Sequence, residues 1–422
     1  MLKKTLKQFF IYAFGALVLR SVNIFLAPLT MRILTPADYG LLSLAYNFIS
    51  VFVVFVGFGL RQVFGLEFFH HQGTARYSMA NDIILLYIVL SFPLFFIAYC
   101  SIGYINEFLF LNNAPFLLMP LVLGICFFYF FVELLYQLLQ YQSKAIMLTI
   151  IQISAAVVTI GINLFFLMIM QTGFLSPLIA QLAVMIGVSS LGLYWYIKKK
   201  MFAHINKQQL YARARTYLIQ GFPFIPSILC SWLLSSSDRW ILAHHASLHD
   251  VGIYSLADTF GQLFTMVVLY PMTGSYIPIM MNAFAQNKNN IQSLVQQNIR
   301  TMWICISGMA LLITLGFLSG RWFLFWILPA AYHETISYIW LLLMGYVFLM
   351  GTYFNTIPLQ FYKHTYFLSA SLLLPAVLNV MLNILLVPHY AIFGCVLSTV
   401  ISYALYFFIT LWYSTKKYYY SP

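Results

Sequence analysis

Residues 38–45 read DYGLLSLA, and residues 250–257 read DVGIYSLA. The offset between them, 212 positions, is half of this 422-residue chain to within one residue. A motif repeated at that spacing predicts a duplicated fold. Each copy opens the second apolar run of its half. Asp38 and Asp250 suit a helix N-cap, where a short carboxylate accepts orphan N–H groups and meets the positive end of the helix dipole. Gly40 and Gly252 allow close helix contact, and Ser43, Ser255, Ala45 and Ala257 add small packing residues. These residues therefore read first as architecture, not as substrate contacts.

The solvent for that architecture follows from composition. Hydrophobic residues make up 62% of the chain and charged residues 7%, and the mean hydropathy is +0.88. A soluble domain usually carries about a quarter charged residues. Most of this surface must therefore face hydrocarbon, where only helices and closed barrels satisfy their own backbone. The apolar runs are continuous over about 20 residues rather than alternating over about ten, which predicts helices.

Twelve spans are expected, at 9–34, 38–60, 83–104, 115–140, 147–170, 177–197, 218–242, 251–284, 302–322, 336–360, 367–387 and 392–413. The eighth is too long for one straight span, and Pro271 and Pro278 are expected to kink or break it. The polar stretch KKKMFAHINKQQLYARARTY (198–217) divides six spans from six. The expected domains are a six-helix bundle at 1–197, a cytoplasmic linker at 198–217 and a second six-helix bundle at 218–422. An even number of spans per half makes this a parallel repeat about an axis along the membrane normal. Two such bundles rocking about a central cavity suit a transporter.

Charge orients the bundle. Alternating the loops between two sides puts seventeen of the 21 Lys and Arg residues on the side of the N-terminus and three on the other, with Arg20 inside a span. By the positive-inside rule both termini are cytoplasmic. The net charge of +12 thus faces the anionic inner leaflet, and a nucleic-acid partner is not expected. The five cysteines stand singly in apolar runs and read as small core residues. The opening MLKKTLK followed by a long apolar run reads as an uncleaved first span.

Ionisable groups inside spans each cost roughly 2.5–3.5 kcal/mol at a helix centre, so each needs a reason. Arg20 lies near the midplane of its span, with Asn23 on the same face. Glu133 heads a polar stripe with Gln137 and Gln140, and Asp258 heads another with Gln262 and Thr265. Such stripes suit a cavity lining; the alternative is an Arg–carboxylate pair that locks helices together. A buried carboxylate could also couple to protons. Tyr129, Tyr136 and Tyr254 fall near the stripes, where aromatic faces suit sugar rings and packing is the default. His245 and His249 share a helical spacing without a third ligand, so no metal site is expected. No HExxH, P-loop, GxSxG or paired-carboxylate motif occurs, so no catalytic residue, cofactor or enzymatic activity is expected.

The run FGALVLRSVNIFLAPLTMRILTPADYGLLSLA (14–45) and the run GFPFIPSILCSWLLSSSDRWILAHHASLHDVGIYSLA (221–257) resemble the polysaccharide-biosynthesis (Wzx-type) flippases of the MATE-like exporter superfamily. The shared features are an Arg-bearing first helix, a D-Y-G helix start, a Gly-x-Pro start to the seventh helix, Asp238–Arg239, and V-G-I-Y-S-x-A. The resemblance implies an all-α, MATE-like fold of twelve transmembrane helices in the bacterial inner membrane. It implies a flippase for polyprenyl-pyrophosphate-linked oligosaccharide units, serving O-antigen, capsule or exopolysaccharide assembly. Polymerase and glycosyltransferase partners, membrane lipid and a monomeric state belong to the same expectation. On this reading Arg20 contacts phosphate or an acidic sugar at the midplane, and Arg61 captures the diphosphate at the cytoplasmic mouth. Asp238 and Arg239 form an outer gate or a simple pair. Asn23, Glu133, Gln137, Asp258 and Gln262 complete the substrate-binding set. One deep arginine against two acids departs from the strongly cationic cavity of related flippases and speaks against a very acidic glycan. The competing readings are a MATE-type cation-coupled drug exporter, with Glu133 and Asp258 as cation ligands, and a membrane glycan polymerase, which the short outer loops disfavour.

Overall fold

The computed structural model describes residues 29–71, 73–142, 144–198, 207–286 and 291–418, and the elements there are helical. In chain order they are α1 (Pro36–Gly57), α2 (Leu60–Glu67), α3 (Gly73–Cys100), α4 (Ile102–Phe110), α5 (Leu118–Tyr141), α6 (Ala145–Leu164), α7 (Ser176–Lys198), α8 (Lys207–Gly221), α9 (Phe224–Ser236), α10 (Asp238–His245), α11 (Leu248–Phe264), α12 (Tyr270–Gln286), α13 (Ile291–Ile327), α14 (Ile336–Phe361) and α15 (Thr365–Tyr418). Ten helical runs among the described residues are long and apolar enough to cross a bilayer. One of them, Tyr366–Lys417, is broken at Ala391 (φ 45°, ψ −122°), three residues after Pro388, whose missing N–H already weakens the ladder. It therefore supplies the eleventh and twelfth expected spans. The first expected span lies mostly outside the described residues.

Leu311, Leu312, Leu315 and Leu318 of α13 are exposed, as befits side chains that face hydrocarbon. Farther along α13, the Arg321 guanidinium lies 5.8 Å from the Trp322 ring, an interfacial anchor of the kind that tethers helix ends. Cys126 and Cys395 are buried, but Cys100 is exposed. That corrects its reading as a core residue: a thiol is apolar enough to face lipid.

One expectation about helix ends changes. Asp38 and Asp250 are not the N-caps. Thr35 Oγ1 accepts from Asp38 N (3.2 Å) while the Asp38 carboxylate accepts from Thr35 N (3.1 Å). Ser247 Oγ accepts from Asp250 N (3.1 Å) and donates to its carboxylate (2.6 Å). Both are capping boxes in which Thr or Ser caps and the Asp three residues on answers it. Pro271 and Pro278 do not break the eighth span: the run Leu248–Gln286 stays helical throughout. A π turn at Thr265–Leu269 joins α11 to α12, and π turns, like prolines, are points at which long helices bend.

The chain divides into two compact units. One holds Leu44–Leu229 with the described residues before Thr35; the other holds Thr35–Ser43 and Cys230 onward. The first unit packs Phe64, Phe68, Tyr87, Leu134 and Leu138 into its core, with the Tyr87 ring stacked on Phe130 at 3.9 Å between centroids. The residues of the expected linker from 207 on begin α8, which packs on this unit. Arg213 donates to Asp82 (2.8 Å) and to Ser78 Oγ (3.2 Å), and Gln220 donates to Glu67 (2.9 Å). Residues 199–206 lie outside the described set.

The second unit packs Met302, Phe354, Tyr403 and Phe407. It also contains the reason for the repeated motif. A Cβ on Gly40 would stand 3.2 Å from Gly252 N, and one on Gly252 would strike the Pro36 carbonyl. Ser255 Oγ donates to Ser43 Oγ at 2.7 Å, 212 positions away. Equivalent residues of the two copies touch each other, so the motif packs against its own repeat.

Candidate functional site

In the first unit, GFG at 57–59 ends α1. Phe58 (φ 47°) and Gly59 (φ 69°) are left-handed, and a Cβ on Gly59 would lie 2.7 Å from the Gly221 carbonyl carbon. Only glycine tolerates both the dihedral and the approach. The crossing fixes the start of α2. Leu60, Val63 and Phe64 of α2, at i, i+3 and i+4, are buried; Arg61 flanks that stripe, and its side chain is 40% exposed. Glu133 projects from α5, and Arg61 Nη1 donates to its Oε2 at 2.5 Å. Both line a cavity of ≈ 300 Å³ with Tyr46, Ser50, Gln62 and Tyr129, among aliphatic side chains. Among the described residues Glu133 is the only carboxylate paired with Arg61. In this state the Glu133 carboxylate holds one donor of the guanidinium and balances its charge.

The second unit holds a different ionic arrangement. α9 stops at Ser236 and α10 begins at Asp238. Asp238, Arg239 and Asp258 are 1%, 5% and 4% exposed. Arg239 Nη2 donates to Asp258 Oδ2 at 2.5 Å, and Nη1 reaches Asp238 Oδ1 at 3.5 Å. Asp258 also accepts from Tyr346 Oη (2.7 Å) and Gln262 Nε2 (3.0 Å). Asp238 accepts from Arg239 N (2.9 Å) and from the Tyr254 hydroxyl. It lies in the first turn of α10, where the helix dipole favours a negative charge. Two carboxylates around one guanidinium leave an excess acceptor charge, and hydroxyl, amide and backbone donors meet it.

The expected site residues are thus regrouped. Arg61 and Glu133, from separate parts of the reading, meet. Asp258 and Gln262 join Asp238 and Arg239 in one buried cluster, so these four are not two sites. Gln137 lies one turn beyond Glu133, and its Oε1 is buried with no partner among the described residues. Arg20 and Asn23 lie outside the described residues. Tyr129 lines the cavity and Tyr254 serves the cluster, whereas Tyr136 packs against apolar neighbours of α5 to α7. Tyr46, Ser50 and Tyr346 were not foreseen. The first two share a face of α1 at i, i+4, a weak signal; Tyr346 carries none, because its partner is 88 residues away. Among the described residues no group of three or more His, Cys, Asp or Glu is placed to hold a metal ion.

The fold has solved counterparts. An inward-facing MATE family multidrug resistance transporter of the MOP superfamily superposes with a TM-score of 0.73 at 13% identity, over 94% of each chain. The lipid II flippase MurJ, in an inward closed conformation, gives 0.70 at 15% identity over 97% of this chain and 86% of that one. A MOP superfamily transporter from Pyrococcus furiosus, described by the reverse polarity of its binding pocket, gives 0.62 at 13% identity over 97% and 95%. At such identities the likeness is one of fold: this is a MATE-like membrane protein. No curated protein matches the sequence. The model of the polysaccharide biosynthesis protein family matches residues 5–284, and the chain belongs to that family.

Proposed function

We propose that this protein is a flippase that carries polyprenyl-pyrophosphate-linked oligosaccharide units across the bacterial cytoplasmic membrane, for O-antigen, capsule or exopolysaccharide assembly, by alternating access. Membership in a polysaccharide biosynthesis family supports this reading, and so does a fold shared with a lipid II flippase. The observation that carries it is Arg61, a half-exposed guanidinium on the wall of a largely apolar cavity within a membrane-spanning unit, with Glu133, Gln62 and Ser50 among the few polar side chains beside it. A diphosphate cannot cross hydrocarbon unaided, and a guanidinium fork binds phosphate oxygens bidentately. Tyr46 and Tyr129 offer flat faces to a sugar, and Ser50 and Gln62 offer hydrogen bonds. Both termini and the basic stretch 198–217 are proposed to face the cytoplasm, on the strength of their positive charge. Arg20 and Asn23 remain proposed midplane contacts. The Asp238–Arg239–Asp258–Gln262 cluster is proposed as an anchor that holds α10, α11 and α14 together, with its polar atoms committed to one another.

The test is complementation in a strain lacking the gene, with surface polysaccharide and membrane protein level read separately. Arg61→Ala is expected to abolish polymer at normal protein level, and Arg61→Lys to restore part of it. Normal polymer with Arg61→Ala would remove Arg61 from the mechanism. Drug sensitivity of the deletion strain with intact polysaccharide would favour the cation-exporter reading.

A further inference from the structure

The Arg61–Glu133 pair raises a question that the flippase reading leaves open: a site that captures a diphosphate must also let it go. We propose that Glu133 is a tethered competitor for Arg61, released when phosphate binds and reclaiming the guanidinium to expel it. This rests on the reading of Arg61 as the diphosphate contact.

Three observations carry the proposal. First, the pair is short, 2.5 Å, so in this state the donor that a phosphate would use is occupied by an internal carboxylate. Second, the pair is accessible: the side chains are 40% and 27% exposed and line a cavity of ≈ 300 Å³. A carboxylate pushed off Arg61 therefore has open cavity to move into, which the buried Asp258 does not. Third, Glu133 has no other carboxylate or cation paired with it among the described residues, and no second hydrogen bond holds it to Arg61. One swing of its side chain breaks the contact without disturbing a network. Gln62 is the polar neighbour on α2 that shares the cavity wall and can take the freed carboxylate.

The consequence is an inverted expectation. A residue that contacts the glycan loses affinity when it is changed. A competitor gains it. Wild-type protein, Glu133→Gln, Glu133→Asp and Arg61→Ala would be purified whole in nanodiscs and titrated with farnesyl diphosphate, a soluble isoprenoid diphosphate, with dissociation rate measured by dilution. Glu133→Gln is expected to tighten binding by about two- to fivefold, the range an exposed ion pair is worth, chiefly through slower release. In cells it is expected to lower polymer output at normal protein level. Glu133→Asp keeps the charge and is expected to restore release. Unchanged or weaker binding by Glu133→Gln, with Arg61→Ala still abolishing binding, would overturn the competitor role and leave the flippase reading intact. Undiminished binding by Arg61→Ala would overturn both. A Glu133→Gln protein that fails to fold would be replaced by Glu133→Asp, whose binding and release must then match wild type within twofold; a larger loss of affinity would count against the proposal.

Discussion

Among the described residues an arginine–carboxylate bond of 2.5 Å is made twice, Arg61 with Glu133 in the first unit and Arg239 with Asp258 in the second. The bonds are equal in length and opposite in surroundings. The side chains of Arg239 and Asp258 are each 6% exposed, against 40% and 27% for Arg61 and Glu133. Breaking a buried pair by removing one partner strands a charge and costs about 3–5 kcal/mol. A solvent-exposed pair is worth about 0–1 kcal/mol. The same chemistry is therefore a lock in one unit and an exchangeable contact in the other, and burial rather than distance assigns the roles.

The largest test of this contrast is Arg239→Ala. It should lose about 3–5 kcal/mol, seen as loss of membrane-inserted protein or a sharply lowered melting temperature in detergent, whereas Arg61→Ala should stay within about 1 kcal/mol of wild type. Equal losses would erase the distinction. Next, Tyr346→Phe removes one donor from Asp258 and should cost about 1.5–3 kcal/mol, the range for a hydrogen bond to a charged group, with polymer output following protein level. Gly59→Ala adds strain of about 1–3 kcal/mol at a left-handed residue and pushes α8 away from α2. It should reduce polymer output beyond what its protein level explains, because the start of α2 aims Arg61. The smallest effect is expected from Ser247→Ala, which opens one capping box for about 1 kcal/mol and should leave transport untouched.

What could be read from the chain was what is local in it. Long apolar runs announce spans, and Pro388 with the short gap at 388–391 announces the break at Ala391. The 212-residue offset announces the duplication, and the scarcity of charge singles out Arg20, Glu133 and Asp258. Local patterns fail where the decisive partner is distant. Arg61 and Glu133 are 72 residues apart, so their meeting leaves no periodic trace. Arg239 and Asp258 sit on successive helices, and nothing in DRWILAHHASLHDVGIYSLAD says that the pair closes across that hairpin rather than between neighbours 238 and 239. The capping boxes were legible as TPAD and SLHD, but the acidic residue draws the eye from the hydroxyl that caps. The prolines of the eighth span do not end it, and the π turn just before Pro271 has no signature of its own in the sequence.

The central claim is that Arg61 is free to exchange its partner for a phosphate. Its most direct test is the change in melting temperature of the purified protein on adding farnesyl diphosphate, since a ligand that binds only the folded state raises it. Wild type should be stabilised in a concentration-dependent way, and Arg61→Ala, folded to the same degree without ligand, should not respond. A shift of equal size in Arg61→Ala would contradict the account.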